Sequence, residues 1–410
     1  MSFFDSRWVD APEHVTEVSG LAGGFRAAGV ACGIKPSGAP DLGLLVADAG
    51  ATVSAARFTR SGVLAAPVLL CQERCDLTGL RAIVANSGCA NAATGRRGFE
   101  AAAKVQGAGA VAAGVPESAV ALASTGSIAH HLPADRVVTG IAAARGELAP
   151  DGDVALAEAI RTTDAFAKRA SLEVTLPSGP VRVSAQAKGA GMLSPAFATM
   201  FCFVQTDAGL APETADLLLG VTVKRSFDRI SVDGQLSTND TAILMASGAS
   251  GVSVAPESED ELRLGEALDA VLRQLALMMV RDGEGAKRVG RVVVRGGHDL
   301  HVEGAARAVA NSPLVKAALH GGDPNWGRIA QAVGMALPGT APLPFDVEVA
   351  GIQVCAGGVG LDHDEAALAE AVQGDEVEYV VALPGEGHET EVFFSDLSHE
   401  YVSINAEYTT

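Results

Sequence analysis

Five apolar residues in succession, Met200-Phe201-Cys202-Phe203-Val204, set the strongest limit on the fold, because such a run suits a strand buried on both faces. The chain reaches it through KGAGMLSPAFATM, residues 188–200. Upstream, Leu172, Val174 and Leu176 alternate with polar residues, Pro177-Ser178-Gly179-Pro180 supplies turn chemistry, and Val181, Val183 and Ala185 alternate again. That pattern predicts a β-hairpin. Lys188 lies on its exit, where Gly189, Ala190 and Gly191 allow close backbone approach and Pro195 restricts Ser194 to extended geometry. A strained turn therefore stands just ahead of a core strand, with Thr199 behind the small Ala198.

A backbone cut before Thr199 would make it a new amino terminus. A threonine hydroxyl alone is a poor nucleophile, but a free α-amine on the same residue can take its proton without a histidine. Strain and a hydroxyl placed to attack the preceding carbonyl are what an N-to-O acyl shift requires. The plainer reading, a glycine-rich loop entering a core strand, fits the same residues and is the commoner case.

A length of 410 residues suggests two or three domains, and 48% hydrophobic content is enough for their cores. The formal charge of −19 argues against nucleic acid or an anionic membrane as partner, and leaves room for a small substrate held by local cations. The start, MSFFDSRWVDAPE, carries acids where a signal peptide needs basic residues, and no stretch is apolar long enough to span a bilayer, so a cytoplasmic location is expected. Cys32, Cys71, Cys75, Cys89, Cys202 and Cys355 form no CxxC pair, which suits reduced thiols better than disulfides or a zinc site; Cys71 and Cys75 have helical spacing.

Strand and helix signals are mixed and no fixed-period repeat occurs. Ser258 with Glu261 reads as a capping box, followed by Leu264, Leu268, Leu272, Leu275 and Met279 at helical spacing and a stop at Gly283, which puts Glu284 just past a helix end. Residues 153–168 read as helical, and 292–294, 347–354, 377–383 and 392–394 as strands, the last two forming a hairpin around Gly385 to Gly387. Ala341 to Leu343 reads as a linker.

No GxxxxGK[ST], GxSxG or HExxH occurs, so phosphate-loop, hydrolase-elbow and zincin chemistry have no anchor. His298 and His301 have ligand-like spacing but lack a third ligand, and His130 and His131 are simply adjacent, so no metal is expected. Ser124-Thr125-Gly126-Ser127 offers a hydroxyl and a bare backbone N–H to a developing oxyanion, or is merely a turn. Asn239-Asp240-Thr241 and Asp323-Pro324-Asn325-Trp326-Gly327-Arg328 are dense in polar groups that need partners if buried, and are equally readable as capped turns.

Together these segments resemble the ArgJ family, the bifunctional ornithine acetyltransferase / glutamate N-acetyltransferases of arginine biosynthesis. The resemblance rests on GFRAAGVACGIKPSG near Gly24, NSGCANAATG from Asn86, STG from Ser124, TTDA from Thr162, and KGAGM with ATM. It continues, in family order, through STNDT from Ser237, DGEGAK from Asp282, NSPLVK from Asn311, DPNWGR from Asp323 and the terminal NAEYTT. It implies an α/β fold with a layered α-β-β-α main domain and a smaller second domain, roughly 285–390, in the carboxy-terminal chain. It further implies a proenzyme that cuts itself between Ala198 and Thr199 into chains 1–198 and 199–410, which stay together and pair as an α2β2 heterotetramer.

By the same resemblance Thr199 is the nucleophile and Thr125 with Gly126 the oxyanion hole, while Thr162, Lys188, Thr199, Glu284, Asn405 and Thr410 bind substrate. N-acetyl-ornithine and glutamate are the implied substrates. No cofactor is required, and acetyl-CoA is left open as a second donor. Lys188 would face a substrate carboxylate or tune the Thr199 amine, and Glu284 would face an ammonium. Four positions depart from the family pattern: Ala165 in TTDA, Cys89 and Ala92 in the NSG segment, and Phe201 after ATM. They leave every named catalytic group in place but bear on substrate preference, since pocket changes shift selectivity in small increments. An N-terminal-nucleophile aminopeptidase of related fold is the rival enzyme, against which NAEYTT speaks; a binding protein that is never cut is the other alternative.

Overall fold

The apolar run forms the strand Phe201–Thr206, every residue of which is buried. Its side chains alternate between two cores: Phe201 and Phe203 turn to one side with Ile243 and Met245, while Cys202 and Val204 turn to the other with Ala242 and Leu244. A strand can serve two cores only inside a layered structure. The computed structural model describes residues 2–48, 50, 52–194 and 200–407.

Phe201–Thr206 lies within a six-stranded sheet ordered Val15–Glu17, Lys168–Leu176, Gly179–Lys188, Phe201–Thr206, Thr241–Ala246 and Val53–Phe58. The expected hairpin is present, with Leu172 opposite Val183 and Val174 opposite Val181. Phe201–Thr206 runs parallel to Thr241–Ala246, which places the Ser237–Asp240 turn beside its start. A four-stranded sheet of Phe25–Val30, Leu42–Ala47, Ala82–Cys89 and Val120–Ser127 faces it across the core that contains Phe201 and Phe203. Helices Ala66–Arg74, Gly95–Ala113 and Ala134–Gly146 cover the outer face of the smaller sheet, and Pro212–Arg225 and Glu259–Arg281 that of the larger. The order is therefore α-β-β-α, as expected.

A seven-stranded sheet holds the carboxy-terminal region, with Asp299–Asn311, Pro313–Gly321, Trp326–Ala336 and Glu365–Ala371 packed on one face. It is stitched to the rest by Ile230–Ser231, which pairs with Glu389–Ser395, and by Phe393 and Val289, which point into the core beneath Glu259–Arg281.

Four local expectations need correction. Strands Glu376–Ala382 and Glu389–Ser395 do not form a hairpin: Val289–Arg295 lies between them, parallel to the first and antiparallel to the second. Alternation marks a strand but not its partner, and the central place goes to the segment whose Val292 and Val294 are wholly buried. The segment 347–354 is two strands, Asp346–Val349 and Ile352–Ala356, folded back at Ala350 and Gly351, whose φ values of 48° and 84° are those of a tight hairpin turn. Helix is limited to Asp153–Ala159, because Asp164 captures the Thr162 N–H at 3.0 Å and the next element is already the strand from Lys168. At Ser258 the hydroxyl caps the Glu261 N–H at 3.2 Å, but the Glu261 carboxylate accepts from Glu257 N–H at 2.7 Å, one residue earlier than a capping box requires.

Candidate active site

The site begins where two parallel strands end. Val120–Ser127 runs beside Ala82–Cys89 with Thr125 opposite Ser87 and Gly126 opposite Gly88. Gly126 has φ of 127°, and a β-carbon there would stand 2.3 Å from the Gly88 carbonyl carbon, so only glycine fits. Ser124 Oγ donates to Asn86 Oδ1 at 2.6 Å, and Asn86 Nδ2 donates to Cys89 O at 2.9 Å. Asn239 Nδ2 then ties both strand ends together, donating to Ser124 O at 2.6 Å and Ala90 O at 2.7 Å. Buried bonds on either side thus hold the strand ends that carry Thr125 and Gly126.

Lys188 ends its strand buried, with Nζ 3.4 Å from Thr125 Oγ. Because Lys188 donates to that oxygen, the Thr125 proton is left to point elsewhere. Burial pushes the Lys188 ammonium below the usual lysine range, Lys168 adds to the push, and Asp164, Asp240 and Glu284 oppose it. Glu284 donates its N–H to Ala190 O at 3.1 Å, and its carboxylate accepts from Asn405 Nδ2 at 2.6 Å. Gly191 permits this approach, since a β-carbon there would lie 2.7 Å from Glu284 Oε1. Asn405 arrives on the helix His399–Glu407, far along the chain from every other group.

Thr125, Gly126, Thr162, Lys188, Glu284 and Asn405 all line one cavity of about 230 Å³. Ala198, Thr199 and Thr410, with the bond between Ala198 and Thr199, lie outside the described residues. The segments flanking that bond are anchored. Met192 and Leu193 donate their N–H groups to the Asp233 carboxylate at 2.7 and 3.1 Å, and Leu193 O accepts from Val232 N–H at 2.9 Å. Met192 is held at φ of 52°, a left-handed conformation that costs a non-glycine residue about 1 kcal/mol. On the far side Met200 N–H donates to Asp240 Oδ1 at 2.9 Å, and Thr241 N–H donates to Met200 O at 3.1 Å. Asp240 is wholly buried, its Oδ2 has no hydrogen-bond partner among the described residues, and burial pushes its carboxyl well above the usual range.

Several groups at this site carry no motif of their own. Asp233 and Tyr401 line the cavity, with burial raising the first and pushing the second up to about 12. Behind the wall, Lys168 bridges Asp164 and Asp282 at 2.8 and 2.5 Å. The signal available for the carboxylates was their place in TTDA and DGEGAK beside Thr162 and Glu284; for Lys168 there was none. The four departures from the family pattern all miss the cavity lining: Cys89 donates to His130 O, Ala92 packs with Ala65 and Ala90, Ala165 offers only its backbone to Asp282, and Phe201 faces the inter-sheet core. Asp323 to Arg328 is also absent from the cavity, serving as the entry to Trp326–Ala336. His298 caps Asp299–Asn311, its ring accepting from Leu300 N–H at 3.3 Å. Among the described residues no group of three or more His, Cys, Asp or Glu side chains is arranged to hold a metal ion, and no helix is long and apolar enough to cross a membrane.

Residues 26–410 match the sequence pattern of the ArgJ family. The arginine biosynthesis bifunctional protein ArgJ of Rhodopirellula baltica is 41% identical over 399 residues, 95% of this chain and 96% of that one. Its counterpart in Nitratidesulfovibrio vulgaris is 42% identical over 392 residues, 94% and 98% of the two chains. Among solved structures, ornithine acetyltransferase of Mycobacterium tuberculosis, complexed with ornithine, is 37% identical with a TM-score of 0.41, covering 45% of this chain and 98% of that one.

Proposed function

The chain belongs to the ArgJ family, and on that premise we propose that it cuts itself between Ala198 and Thr199 and then transfers acetyl from N2-acetyl-ornithine to glutamate through an acetyl-Thr199 ester. The observation that carries this reading is the convergence of Thr125, Gly126, Thr162, Lys188, Glu284 and Asn405 on one cavity, from parts of the chain that only the fold brings together.

In the first reaction Thr199 Oγ attacks the Ala198 carbonyl carbon, the peptide nitrogen takes a proton as its bond breaks, and water hydrolyses the resulting ester. The shift frees the α-amine, and hydrolysis then frees the Thr199 hydroxyl with Ala198 leaving as a carboxylate. In each turnover Thr199 Oγ attacks the acetyl carbon, its amine accepts the proton, and the tetrahedral oxyanion is met by the Thr125 hydroxyl and Gly126 N–H. The proton passes to the departing ornithine nitrogen. Glutamate's amine then attacks the ester through a related oxyanion in the same hole; its proton passes by way of the Thr199 amine to Thr199 Oγ as the ester bond breaks, and N-acetylglutamate leaves. Lys188 acts from behind Thr125, its positive charge polarising the donor hydroxyl it touches, while Glu284, oriented by Asn405, offers negative charge to an ammonium. No cofactor takes part; acetyl-CoA would enter only as an alternative acetyl donor. We place the reaction in the cytoplasm and expect the chains 1–198 and 199–410 to remain together in an α2β2 heterotetramer.

The purified protein should run as two bands on a denaturing gel and convert N2-acetyl-ornithine plus glutamate into ornithine plus N-acetylglutamate. Release of free acetate in place of transfer would show a water-resolved acyl-enzyme and hence the aminopeptidase-like alternative; a single uncut band would show a binder.

Lys188 makes the rate depend on pH. Its lowered pKa means the ammonium is lost below the usual lysine range as pH rises, and the polarisation of Thr125 goes with it. The pH profile of kcat/KM should therefore turn down on the alkaline side before a free lysine would titrate. Lys188→Arg, whose guanidinium stays charged, should move that limb upward. An unmoved limb would show that another group sets it.

A further inference from the structure

Building on the acetyl-transfer reading, we propose that Lys168 is a positioning residue: through the carboxylates of Asp164 and Asp282 it fixes the spacing of the cavity walls that carry Thr162, Lys188 and Glu284, and thereby the side-chain length of the amino acid accepted.

Lys168 opens the strand Lys168–Leu176 with its side chain wholly buried, and the Phe166 ring covers the ammonium at 4.8 Å. Nζ donates to Asp164 Oδ1 at 2.8 Å and to Asp282 Oδ2 at 2.5 Å. Each carboxylate then reaches a cavity wall. Asp164 accepts from Thr162 N–H at 3.0 Å and from Gly189 N–H, next to Lys188, at 2.7 Å. Asp282 accepts from Ala165 N–H at 3.2 and 3.1 Å and stands two residues before Glu284. Three stretches remote in sequence are thus fixed to one ammonium, although none of Asp164, Lys168 and Asp282 lines the cavity.

Stability alone does not call for this arrangement. Buried ion clusters are often no more stabilising than apolar residues of similar volume, because desolvation offsets their attraction. A methionine could fill the space of Lys168. It could not hold two carboxylates at a set separation. Burial pushes Asp164 up, but Lys168 and Lys188 outweigh it and leave that carboxyl below the usual range. Asp282, also drawn down by Lys168, remains raised by burial and by the neighbouring Asp164. The two carboxyls shift oppositely around one cation, and Asp164 faces both Lys168 and Lys188.

A length gauge predicts a specificity effect. One methylene in a fitted pocket is worth about 10- to 200-fold in kcat/KM. The test compares N2-acetyl-ornithine with its homologues one methylene shorter and one longer, using the intact cleaved protein, Lys168→Met, and the paired Lys168→Met/Asp282→Asn variant. The pair keeps the parent's net buried charge, so it carries the test if the single variant does not fold. The expected result is that preference for the ornithine derivative over its homologues falls about tenfold or more in the variants, the shorter or longer substrate losing less than the ornithine derivative. An equal loss on all three substrates would mark a purely structural role and overturn the proposal, as would unchanged preference. Binding of the corresponding free amino acids, followed by calorimetry, should show the same levelling of preference. Because that readout does not depend on turnover, a parent that binds ornithine selectively yet transfers no acetyl would overturn the function reading alone.

Discussion

Thr199→Ala should purify as one uncut chain of 410 residues and lose acetyl transfer. On the proposed mechanism the substitution removes the hydroxyl that attacks the Ala198 carbonyl, and without that attack no α-amine would be released to act as base. Nucleophile and base are lost together, so activity should fall by roughly 10⁴-fold or more, the loss typical of removing the attacking group from a nucleophilic site. Thr199→Ser, which keeps a hydroxyl on a residue that can gain a free amine, should recover both cleavage and transfer in part. Denaturing electrophoresis reads the first and an N-acetylglutamate assay the second. Acetyl transfer by an uncut Thr199→Ala chain would remove Thr199 from the mechanism. On either side of the bond between Ala198 and Thr199, Asp233 and Asp240 pin the chain at Met192–Leu193 and at Met200, and Met192 is in a left-handed conformation.

Thr125→Ala should leave a protein that folds and binds ornithine but turns over about 10²- to 10³-fold more slowly, the cost of removing one oxyanion donor, about 3–4 kcal/mol. Most of that loss belongs in kcat, because the hydroxyl meets charge that exists only as the tetrahedral intermediate forms. The change also strips Lys188 Nζ of the oxygen that accepts from it at 3.4 Å. Thr125→Ser restores that oxygen and should recover most of the rate. If Thr125→Ala altered KM and left kcat intact, Thr125 would be a substrate contact and the oxyanion would lie elsewhere.

The two halves of the proposed hole differ in how visible they are. Gly126 looks like an ordinary turn glycine until the paired strands are in place, when its φ of 127° and the 2.3 Å approach to Gly88 show why no side chain fits. Asn239 and Asp240 read as a polar turn; the parallel pairing of Thr241–Ala246 with Phe201–Thr206 converts them into the tie across the strand ends and the anchor of Met200. Ala165, Cys89, Ala92 and Phe201, read in the sequence as bearing on substrate choice, are not among the described residues that line the cavity, so any influence they have on that choice is indirect.

Local chemistry settled what the segments are. Alternation in 172–185 and the unbroken apolar run from Met200 define a hairpin and a doubly covered strand, since side-chain period and burial are properties of adjacent residues. The ordered motifs placed Thr125, Thr162, Lys188, Glu284 and Asn405 together as a family pattern. Partnership between distant segments was not written in any one of them. Val289–Arg295 entered between two strands that looked like a hairpin, and Lys168 joined Asp164 to Asp282, because neighbours in a sheet and counterions in a core are chosen by the burial of the whole chain. A strand segment presents much the same edge to many candidates, and a buried charge is tolerable only where the complete fold supplies its opposite.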